Sequence, residues 1–484
     1  MKKRTKRQKA IIRRNLFLTL CAVVLIGSIA LVSFAVSAIF GGDNTVSSTP
    51  SDTSSQTQSV QSTPSDTSSK TESEDASKTE SKTESKTESK TESKQESEEE
   101  TGSKYTPKPP TDNGPKPDAT ATVLSIGDIM VHDPQLKGAK TSDGYDFSDF
   151  FKVISPYYKK ADLTIGNLEL TFGGSKSGSY KGYPAFNTPD ALANNMKNAG
   201  INMLMTANNH SYDTGFYGLK RTAEVLRKKG LEYTGTKEKI SNPPYLVKSV
   251  NGIKIGIANF TYETTGSDSS RKYLNGGAIK KEANDYINTF SYQRIDKFYK
   301  EAEKLIKNMK YEGAEFITFY MHWGEEYQLK ANTWQKTIAQ KLSNMGVDII
   351  IGGHPHVVQP VELIHAEGSD RTTICIYSLG NAVSNQRREL ISSARKGHTE
   401  DGAMFTYTLK RVNNVVSVES VNVIPTWVRK YQDNGYKYTI YPIDGTSYPK
   451  VDSKLKESYE RTKAIVAKGL TECQKHLGCE ITFK

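Results

Sequence analysis

Two histidines separated by one residue, His354 and His356, are the first candidates for chemistry in this sequence. They follow the β-branched apolar run 347–351, which is bounded by glycines and is predicted to be a buried strand with both imidazoles in the loop at its carboxyl end. Neutral imidazoles bind divalent metals, and Pro355 between them limits the conformational entropy lost on binding. Taken alone, the pair fits a surface turn equally well.

Five further short apolar runs also end in polar residues. Amphipathic helical patterns follow two of them, one through about Lys229 and one over 333–345. Because α/β sheets bind ligands at the carboxyl ends of their strands, we expect these loops to converge on one edge of a sheet. The runs and their polar residues are 123–126 with Asp128, 162–165 with Asn167 and Glu169, 201–207 with Asn209, His210 and Asp213, 316–320 with His322, and 374–377 with Asn381.

The rest of the folded region supports a mixed sheet. The runs 245–250 and 253–260 flank Asn251-Gly252 and predict a hairpin, so the fold class is α/β (α+β) with a mixed sheet. Residues 402–428 alternate as further strands, and the last fifty residues predict an appended helix. The polar segments 264–289 and 384–400 are expected to be loops over the site.

The N-terminus predicts a membrane anchor. Eight basic and no acidic residues occur in the first forty, and residues 16–40 carry no charge. At about 1.5 Å per residue this run can cross a bilayer core of roughly 30 Å. The charge asymmetry places the tail 1–15 in the cytoplasm and the rest outside, as a single-pass cell-membrane protein. A cleaved signal peptide is the alternative, but the apolar run is longer than a usual signal core.

Residues 41–118 are predicted to be a disordered linker. Lys-Thr-Glu-Ser repeats over 78–93, a period that places like charges four residues apart and disfavours a helix. The remainder is divided into a main domain at 119–430 and a C-terminal appendage at 431–484. Residues 119–484 carry a net charge of about +10, which suits an anionic partner, whereas the location disfavours nucleic acid. Cys473 and Cys479 are close enough in the sequence to form a disulfide in an oxidising compartment.

The residues at the six strand ends predict a divalent-metal site. Carboxylate and amide oxygens suit hard cations and imidazoles suit borderline ones, so the ion or ions are expected to be Mn, Fe, Zn or Mg. Each residue alone has an ordinary explanation, such as a helix cap, but their coincidence at successive strand ends favours a metal cluster. Asp213-Thr214-Gly215 matches the aspartic-protease triplet, but that chemistry needs a second triplet, which the sequence lacks. The predicted metal ligands are Asp128, Glu169, Asn209, His322, His354 and His356.

At these positions the sequence resembles the CapA family of capsule-biosynthesis proteins, which includes the PgsA-type poly-γ-glutamate synthesis proteins. The resemblance covers about 121–390. The strings that carry it are Gly127-Asp128-Ile129-Met130, Asn167-Leu168-Glu169, Ala207-Asn208-Asn209-His210 with Asp213 and Gly215, His322-Trp323-Gly324 with Glu326-Tyr327, His354-Pro355-His356-Val357 with Gln359-Pro360, and Tyr377-Ser378-Leu379-Gly380-Asn381.

The resemblance implies a fold similar to that of calcineurin-type metallophosphoesterases, a sheet sandwich flanked by helices. It also implies His210 as a general acid and Asp128 as a residue of the catalytic centre, with Asn167, His132, Asp213 and Asn381 as supporting residues. The phosphoesterase pattern has a His two residues after its first Asp, where this chain has Met130, and Glu169 stands for its bridging Asp. The resemblance is therefore compatible with a site for one metal ion and with a site for two.

Three functions follow as hypotheses. The first is an anchored protein for biosynthesis or export of poly-γ-glutamate or a similar anionic polymer, working with other membrane subunits of a polymer synthase. The second is an extracellular metal-dependent phosphoesterase acting on wall or lipid-linked phosphates. The third is a non-catalytic, polymer-binding assembly subunit in which the metal site is structural.

Overall fold

The computed structural model describes residues 105–110, 114, 116–268, 270–394, 396–444 and 451–484. The predicted cytoplasmic tail, the predicted transmembrane helix 16–40 and most of the predicted linker lie outside these residues. Among the helices that are described, none is both long and apolar enough to cross a bilayer.

The described strands are numbered along the chain. They are β1 Ala119–Ile129, β2 Lys140–Thr141, β3 Gly144–Tyr145, β4 Leu163–Leu168, β5 Met203–Met205, β6 Glu232–Thr234, β7 Leu246–Val250, β8 Ile253–Tyr262, β9 Tyr273–Leu274, β10 Gly277–Ala278, β11 Thr289–Phe290, β12 Phe316–His322, β13 Ile349–Gly353, β14 Val361–His365, β15 Thr372–Ile376, β16 Asn381–Val383, β17 Asp401–Val412, β18 Val415–Gln432, β19 Tyr436–Pro442 and β20 Glu480–Phe483.

The described α-helices are numbered in the same way. They are α1 Asp133–Ala139, α2 Ser148–Phe151, α3 Ser155–Tyr158, α4 Ala191–Ala199, α5 Gly215–Lys228, α6 Ile295–Tyr311, α7 Thr333–Met345 and α8 Lys454–Leu477.

Two mixed sheets form the frame. The first runs in the order β19-β18-β17-β1-β4-β5-β6, with β16 beside β1 and β20 beside β18. Its β1, β4, β5 and β6 are parallel, whereas β17, β18 and β19 are antiparallel to their neighbours. The second sheet runs β11-β8-β12-β13-β15-β14, with β7 antiparallel to β8 as the predicted hairpin. The predicted mixed α/β fold is confirmed.

The sheets pack face to face. Their shared core contains Val123 and Ile165 of the first sheet and Ile257 and Ile351 of the second, all of them buried. Since parallel strands are covered on both faces, their sequences are nearly continuous apolar runs. A second core lies between the first sheet and α1 to α5, and a third lies between the second sheet and α6 and α7. The result is a sandwich with helices on both outer faces.

The C-terminal segment joins the first sheet. Strand β20 pairs in parallel with β18, and α8 places Val466, Leu470 and Cys473 in the core between the sheets. Cys473 and Cys479 are both free thiols, so the disulfide considered from sequence is absent between them.

The end of the predicted linker also contacts the domain. The Tyr105 hydroxyl donates to Glu312 at 2.6 Å, and the backbone carbonyl of Pro117 accepts from Arg411 at 2.7 Å. The described residues before β1 therefore lie against the sheets.

Candidate metal centre

The six predicted strand ends come from both sheets. Strands β1, β4 and β5 belong to the first sheet, whereas β12, β13 and β15 belong to the second. The sequence predicted a single sheet edge. The two sheets instead stack with their parallel strands ending on the same side, so the loops meet across the seam between them.

Asp128 connects the two sheets at the site. Its Oδ1 accepts from Nδ2 of Asn167 at 2.8 Å, and its Oδ2 accepts from the backbone N–H of His354 at 3.2 Å. The same Oδ2 lies 3.1 Å from Nδ1 of His356. A side chain at Gly353 would place its Cβ 2.7 Å from Oδ1 of Asp128, so this glycine allows the histidine loop to approach the carboxylate.

Glu169 is completely buried, yet neither of its oxygens has a hydrogen-bond partner within the described part of the chain. Its Oε1 lies 3.4 Å from Nε2 of His322 and 3.8 Å from Nε2 of His356. The Nδ1 atom of His354 is also buried and unpartnered. Since burying polar atoms without partners costs free energy, these atoms fit a site whose missing partner is a cation.

Glu169 is shared by two groups of donor atoms. One group is Asp128, Glu169 and His356, and the other is Glu169, His322 and His354, with the donor atoms of each group within 4.8 Å of one another. Oxygen and imidazole donors suit Mn, Fe or Zn, and a carboxylate common to two groups is the arrangement of a bridged two-metal centre. The donor set therefore fits one or two divalent ions.

Asn209 adds an amide oxygen to this cluster. Its Oδ1 lies 2.7 Å from Nε2 of His322, and its Nδ2 donates to Oδ1 of Asn275 at 2.9 Å. His322 Nδ1 lies 3.3 Å from Nδ2 of Asn167. All six predicted ligands thus lie in one buried cluster.

His210 and Asp213 form a hydrogen-bonded pair beside the cluster. Nδ1 of His210 lies 2.8 Å from Oδ2 of Asp213. Burial lowers the pKa of His210, but the Asp213 carboxylate and nearby Glu169 outweigh that effect, so the pKa is raised overall. With Nδ1 engaged, Nε2 is the nitrogen that can exchange a proton with a ligand.

The histidine loop holds its two imidazoles in different environments. Burial and the neighbouring histidines lower the pKa of His354, which favours the neutral form that binds metal. Burial also lowers the pKa of His356, but Glu169 and Asp128 more than compensate and raise it to about 9 in the metal-free protein. For Asp128 burial raises the pKa, but the contacts with His356 and His322 lower it overall.

The backbone of this loop is strained. His354 and His356 have φ angles of +95° and +56°, in a region that favours glycine. Hydrogen bonds from the backbone N–H of Tyr327 to Pro355 (2.8 Å) and of Trp323 to Gly353 (3.1 Å) hold the loop in place. Such strain persists only where the surroundings fix it, as at a functional site.

The remaining predicted supporting residues have different positions. Asn381 donates from Nδ2 to the backbone carbonyl of Thr399 at 2.9 Å and lies 3.4 Å from that of His356, so it lies behind the histidine loop. His132 begins α1, and its Nδ1 accepts from the backbone N–H of Asn385 at 3.3 Å. Burial lowers the pKa of His132 to about 4, and among the described residues it belongs to no group that can hold a metal.

Sequence reasoning missed three residues at the site. Glu326 forms a third donor group with His354 and His356. The only indication of it in the sequence was that it belongs to the motif that begins at His322. The Tyr262 ring lies 4.8 Å from that of His354, but the sequence predicts the run 253–260 only as one arm of a hairpin and not as a strand that leads to the site. Asn275 lies in the predicted covering loop 264–289 at an Asn-Gly turn, and nothing in the sequence indicated its contact with Asn209.

Known structures share distant similarity with this chain. NAD nucleotidase (NadN) of Haemophilus influenzae aligns with 13% identity and a TM-score of 0.38, over 74% of this chain and 60% of the nucleotidase chain. The calcineurin-like phosphoesterase YfkN of Bacillus subtilis aligns with 15% identity and a TM-score of 0.35, over 72% of this chain and 98% of YfkN. This chain thus spans 60% of the length of the nucleotidase.

Two curated relatives are more similar in sequence. The Capsule biosynthesis protein CapA of Bacillus anthracis is 28% identical over 345 residues, which cover 69% of this chain and 76% of the relative. The PGA biosynthesis protein CapA of Bacillus subtilis is 27% identical over 320 residues, or 64% and 72% of the two chains. The model of the family described as bacterial capsule synthesis protein PGA_cap matches residues 122–386, which is more than half of the sequence and contains every predicted ligand. This chain therefore belongs to the bacterial capsule synthesis protein family PGA_cap.

Proposed function

We propose that this chain is a membrane-anchored, extracellular protein of capsule-polymer biosynthesis or export, and that its divalent-metal site acts on or holds the polymer. The names of the two CapA relatives, for capsule and for PGA biosynthesis, support poly-γ-glutamate or a similar anionic chain as the polymer. The basic tail and the uncharged run 16–40 support the anchor, and other membrane subunits of a synthase are its expected partners.

One observation carries the proposal for the metal site. Glu169 places two buried oxygens without hydrogen-bond partners between the imidazoles of His322 and His356. Burying a carboxylate in such a position lowers the stability of the fold when no cation is bound, whereas a bound cation compensates its charge.

The residues have distinct roles in this proposal. Asp128, Glu169 and His356 would hold one ion, and Glu169, His322 and His354, with Asn209 beside them, would hold a second. When bound, such ions polarise a phosphoryl or carbonyl oxygen and lower the pKa of water. Asn167 and the backbone N–H of His354 fix the Asp128 carboxylate, so its orientation is set before any ligand arrives.

Metal analysis of the full-length chain tests the proposal. We expect stoichiometric divalent metal in the wild type, its loss in Glu169→Gln, and its retention in Glu419→Gln, which changes a surface carboxylate paired with Lys410. In a strain lacking the gene, the wild type and the control should restore capsule polymer, whereas Glu169→Gln at equal protein level should not. Normal polymer in the Glu169→Gln strain would refute a role for the site.

The pair of His210 and Asp213 supports a second candidate, a metal-dependent phosphoesterase. A histidine with a raised pKa at the edge of a metal cluster suits a general acid that protonates a leaving oxygen. Mn-dependent turnover of a generic phosphodiester should be lost in His210→Ala with metal still bound, and kept in the exposed control His365→Ala. Absence of turnover with every divalent metal tried would exclude this candidate and favour a non-catalytic assembly role.

A further inference from the structure

A large cavity lies next to the metal site. Its volume is about 960 Å³, and its walls are one face of α6 and the segment 270–290, with residues 105–107 also lining it. This volume is at the upper end of the range for small-molecule pockets, and it suits a stretch of chain better than a single small anion.

The cavity is strongly basic. Eight cationic and three acidic side chains line it. Arg294 is neutralised by Glu263 at 2.8 Å. Among the described residues, six of the cationic groups belong to no ion pair, and these are Arg271, Lys272, Lys281, Lys297, Lys300 and Lys304. Of these, Lys272 donates to the backbone carbonyls of Asn284 and Ile287.

Three of these cationic groups form a row along α6. Lys297, Lys300 and Lys304 follow the i, i+3, i+7 spacing that places side chains on one helix face, and they extend over roughly 10 Å of α6. Across the cavity, Nε of Arg271 is a buried donor without a hydrogen-bond partner, while Nη2 donates to the backbone carbonyl of Ile279 at 3.0 Å. Eight cationic side chains face three acidic ones in the lining, and an anionic ligand would offset the excess positive charge.

The cavity and the metal site share two structural elements. Tyr262, at the end of β8, contacts the His354 ring, and the next residue, Glu263, lines the cavity. Within the loop 264–289, Asn275 contacts Asn209, while Lys281 lines the cavity. The cavity therefore begins one residue beyond Tyr262, which packs against a predicted metal ligand.

We propose that this cavity binds a stretch of a polycarboxylate chain several carboxylates long and keeps it beside the metal site. The identification of the chain rests on the proposed function. Three lysines spaced along a helix match single carboxylates spaced along a polymer, because each ammonium acts as an independent point charge. A phosphate group would favour a converging, bidentate arginine cluster instead.

Binding of a fluorescein-labelled γ-linked glutamate decamer to the full-length chain tests the proposal by fluorescence anisotropy. The variant K297E/K300E/K304E should weaken binding by at least about tenfold, and added salt should weaken binding to the wild type. The matched control K310E/K336E/K341E has the same net charge but changes exposed lysines outside the cavity, and it should bind within about twofold of the wild type. Both variants should keep the wild-type thermal midpoint, because all six side chains are exposed.

Other outcomes would overturn the proposal. Equal weakening by both triple variants would assign binding to net charge alone, and unchanged binding in the cavity variant would exclude the cavity. If inorganic polyphosphate of matched charge competed with the labelled decamer more strongly than the unlabelled decamer does, the ligand of the cavity would be a phosphate chain and not a polycarboxylate.

The binding test is independent of the metal site. Glu169→Gln and metal-free wild type should still bind the decamer if the cavity holds it. Loss of decamer binding in K297E/K300E/K304E at unchanged metal content would then support the cavity even if the Glu169→Gln strain made normal capsule.

Discussion

His210 and Asp213 show how one buried hydrogen bond sets the chemistry of a residue. The Asp213 carboxylate lies against Nδ1 of His210 at 2.8 Å and also accepts from the backbone N–H of Phe186 at 2.6 Å. The Phe186 ring meets the His210 ring edge to face, with centroids 4.7 Å apart. Asp213 therefore orients the imidazole, and it has no second carboxylate of a protease pair beside it among the described residues.

Replacement of this carboxylate should change the titration of His210. In metal-free Asp213→Asn the pKa of His210 should fall, because burial continues to oppose the imidazolium while the charge that favoured it is gone. Histidine titration by NMR measures the shift. Asp146→Asn, a change at an exposed carboxylate, is the control and should leave the titration unchanged. An unaltered pKa in Asp213→Asn would show that Asp213 does not set the charge of His210.

The pair also has a consequence for stability. Because the folded pKa of His210 is raised above its unfolded value, the pair stabilises the fold at low pH, and the contribution is lost as the pH rises through the folded pKa. The stability cost of Asp213→Asn should therefore be larger in mildly acidic than in alkaline buffer.

At the scale of elements, the site depends on a backbone contact between β1 and the turn before β16. The backbone N–H of Asp128 donates to the carbonyl of Gly380 at 2.9 Å, and a Cβ at Gly127 would lie 1.9 Å from the same oxygen. A side chain at Gly127 would push these segments apart and displace Asp128.

Gly127→Ala should therefore lower the free energy of unfolding by about 1–3 kcal/mol, the usual cost of overpacking. It should also weaken metal binding, because Asp128 moves. Chemical denaturation and metal titration measure the two effects. Gly277→Ala is the control, since its Cβ would meet only an ordinary contact at 3.4 Å, and its stability should change by less than about 0.5 kcal/mol. Wild-type stability in Gly127→Ala would show that the close approach of Gly127 to Gly380 does not position Asp128.

Most individual elements were predictable from sequence. The helix predicted over 333–345 is α7, and the Asn251-Gly252 hairpin is β7 and β8. Apolar periodicity and turn residues act locally, so they are visible in one chain segment. The contact of Asn275 with Asn209 was not predictable, because it depends on how a long loop folds back over the sheets.

At the scale of the whole molecule, Arg411 connects the two sheets. It lies on β17 of the first sheet, is 1% exposed, and donates to the carboxylate of Glu315, which precedes β12 of the second sheet, at 3.1 Å. It also donates to the backbone carbonyls of Gly252 and Pro117. Burial raises the pKa of Glu315, but its hydrogen bonds with Lys254, Arg411 and Lys116 lower it overall.

Arg411→Met should cost about 3–5 kcal/mol of stability at neutral pH, because it removes a buried cation from Glu315 and leaves the backbone carbonyls of Gly252 and Pro117 without their donor. Since the folded pKa of Glu315 is depressed, its stabilising contribution is present above the unfolded pKa and is lost as the pH falls through the folded pKa. The difference in the free energy of unfolding between Arg411→Met and the wild type should therefore become smaller at acidic pH. Denaturation across a pH series measures it.

The control is Lys410→Met, on the same strand. Lys410 forms an exposed pair with Glu419, so its loss should cost no more than about 1 kcal/mol. Equal effects of the two substitutions would show that Arg411 does not hold the sheets together.

Strand patterns and turn residues are local properties of the chain, so the amino-acid sequence was enough to identify the polar residues at the strand ends and with them the donors of the site. Three features became visible only in the folded chain: the donors come from two sheets, Glu169 lies between two imidazole groups, and a basic cavity lies near them. These features depend on the stacking of the sheets and on the loop 264–289, which bring together residues that are distant in the chain and carry no signal of each other in the sequence.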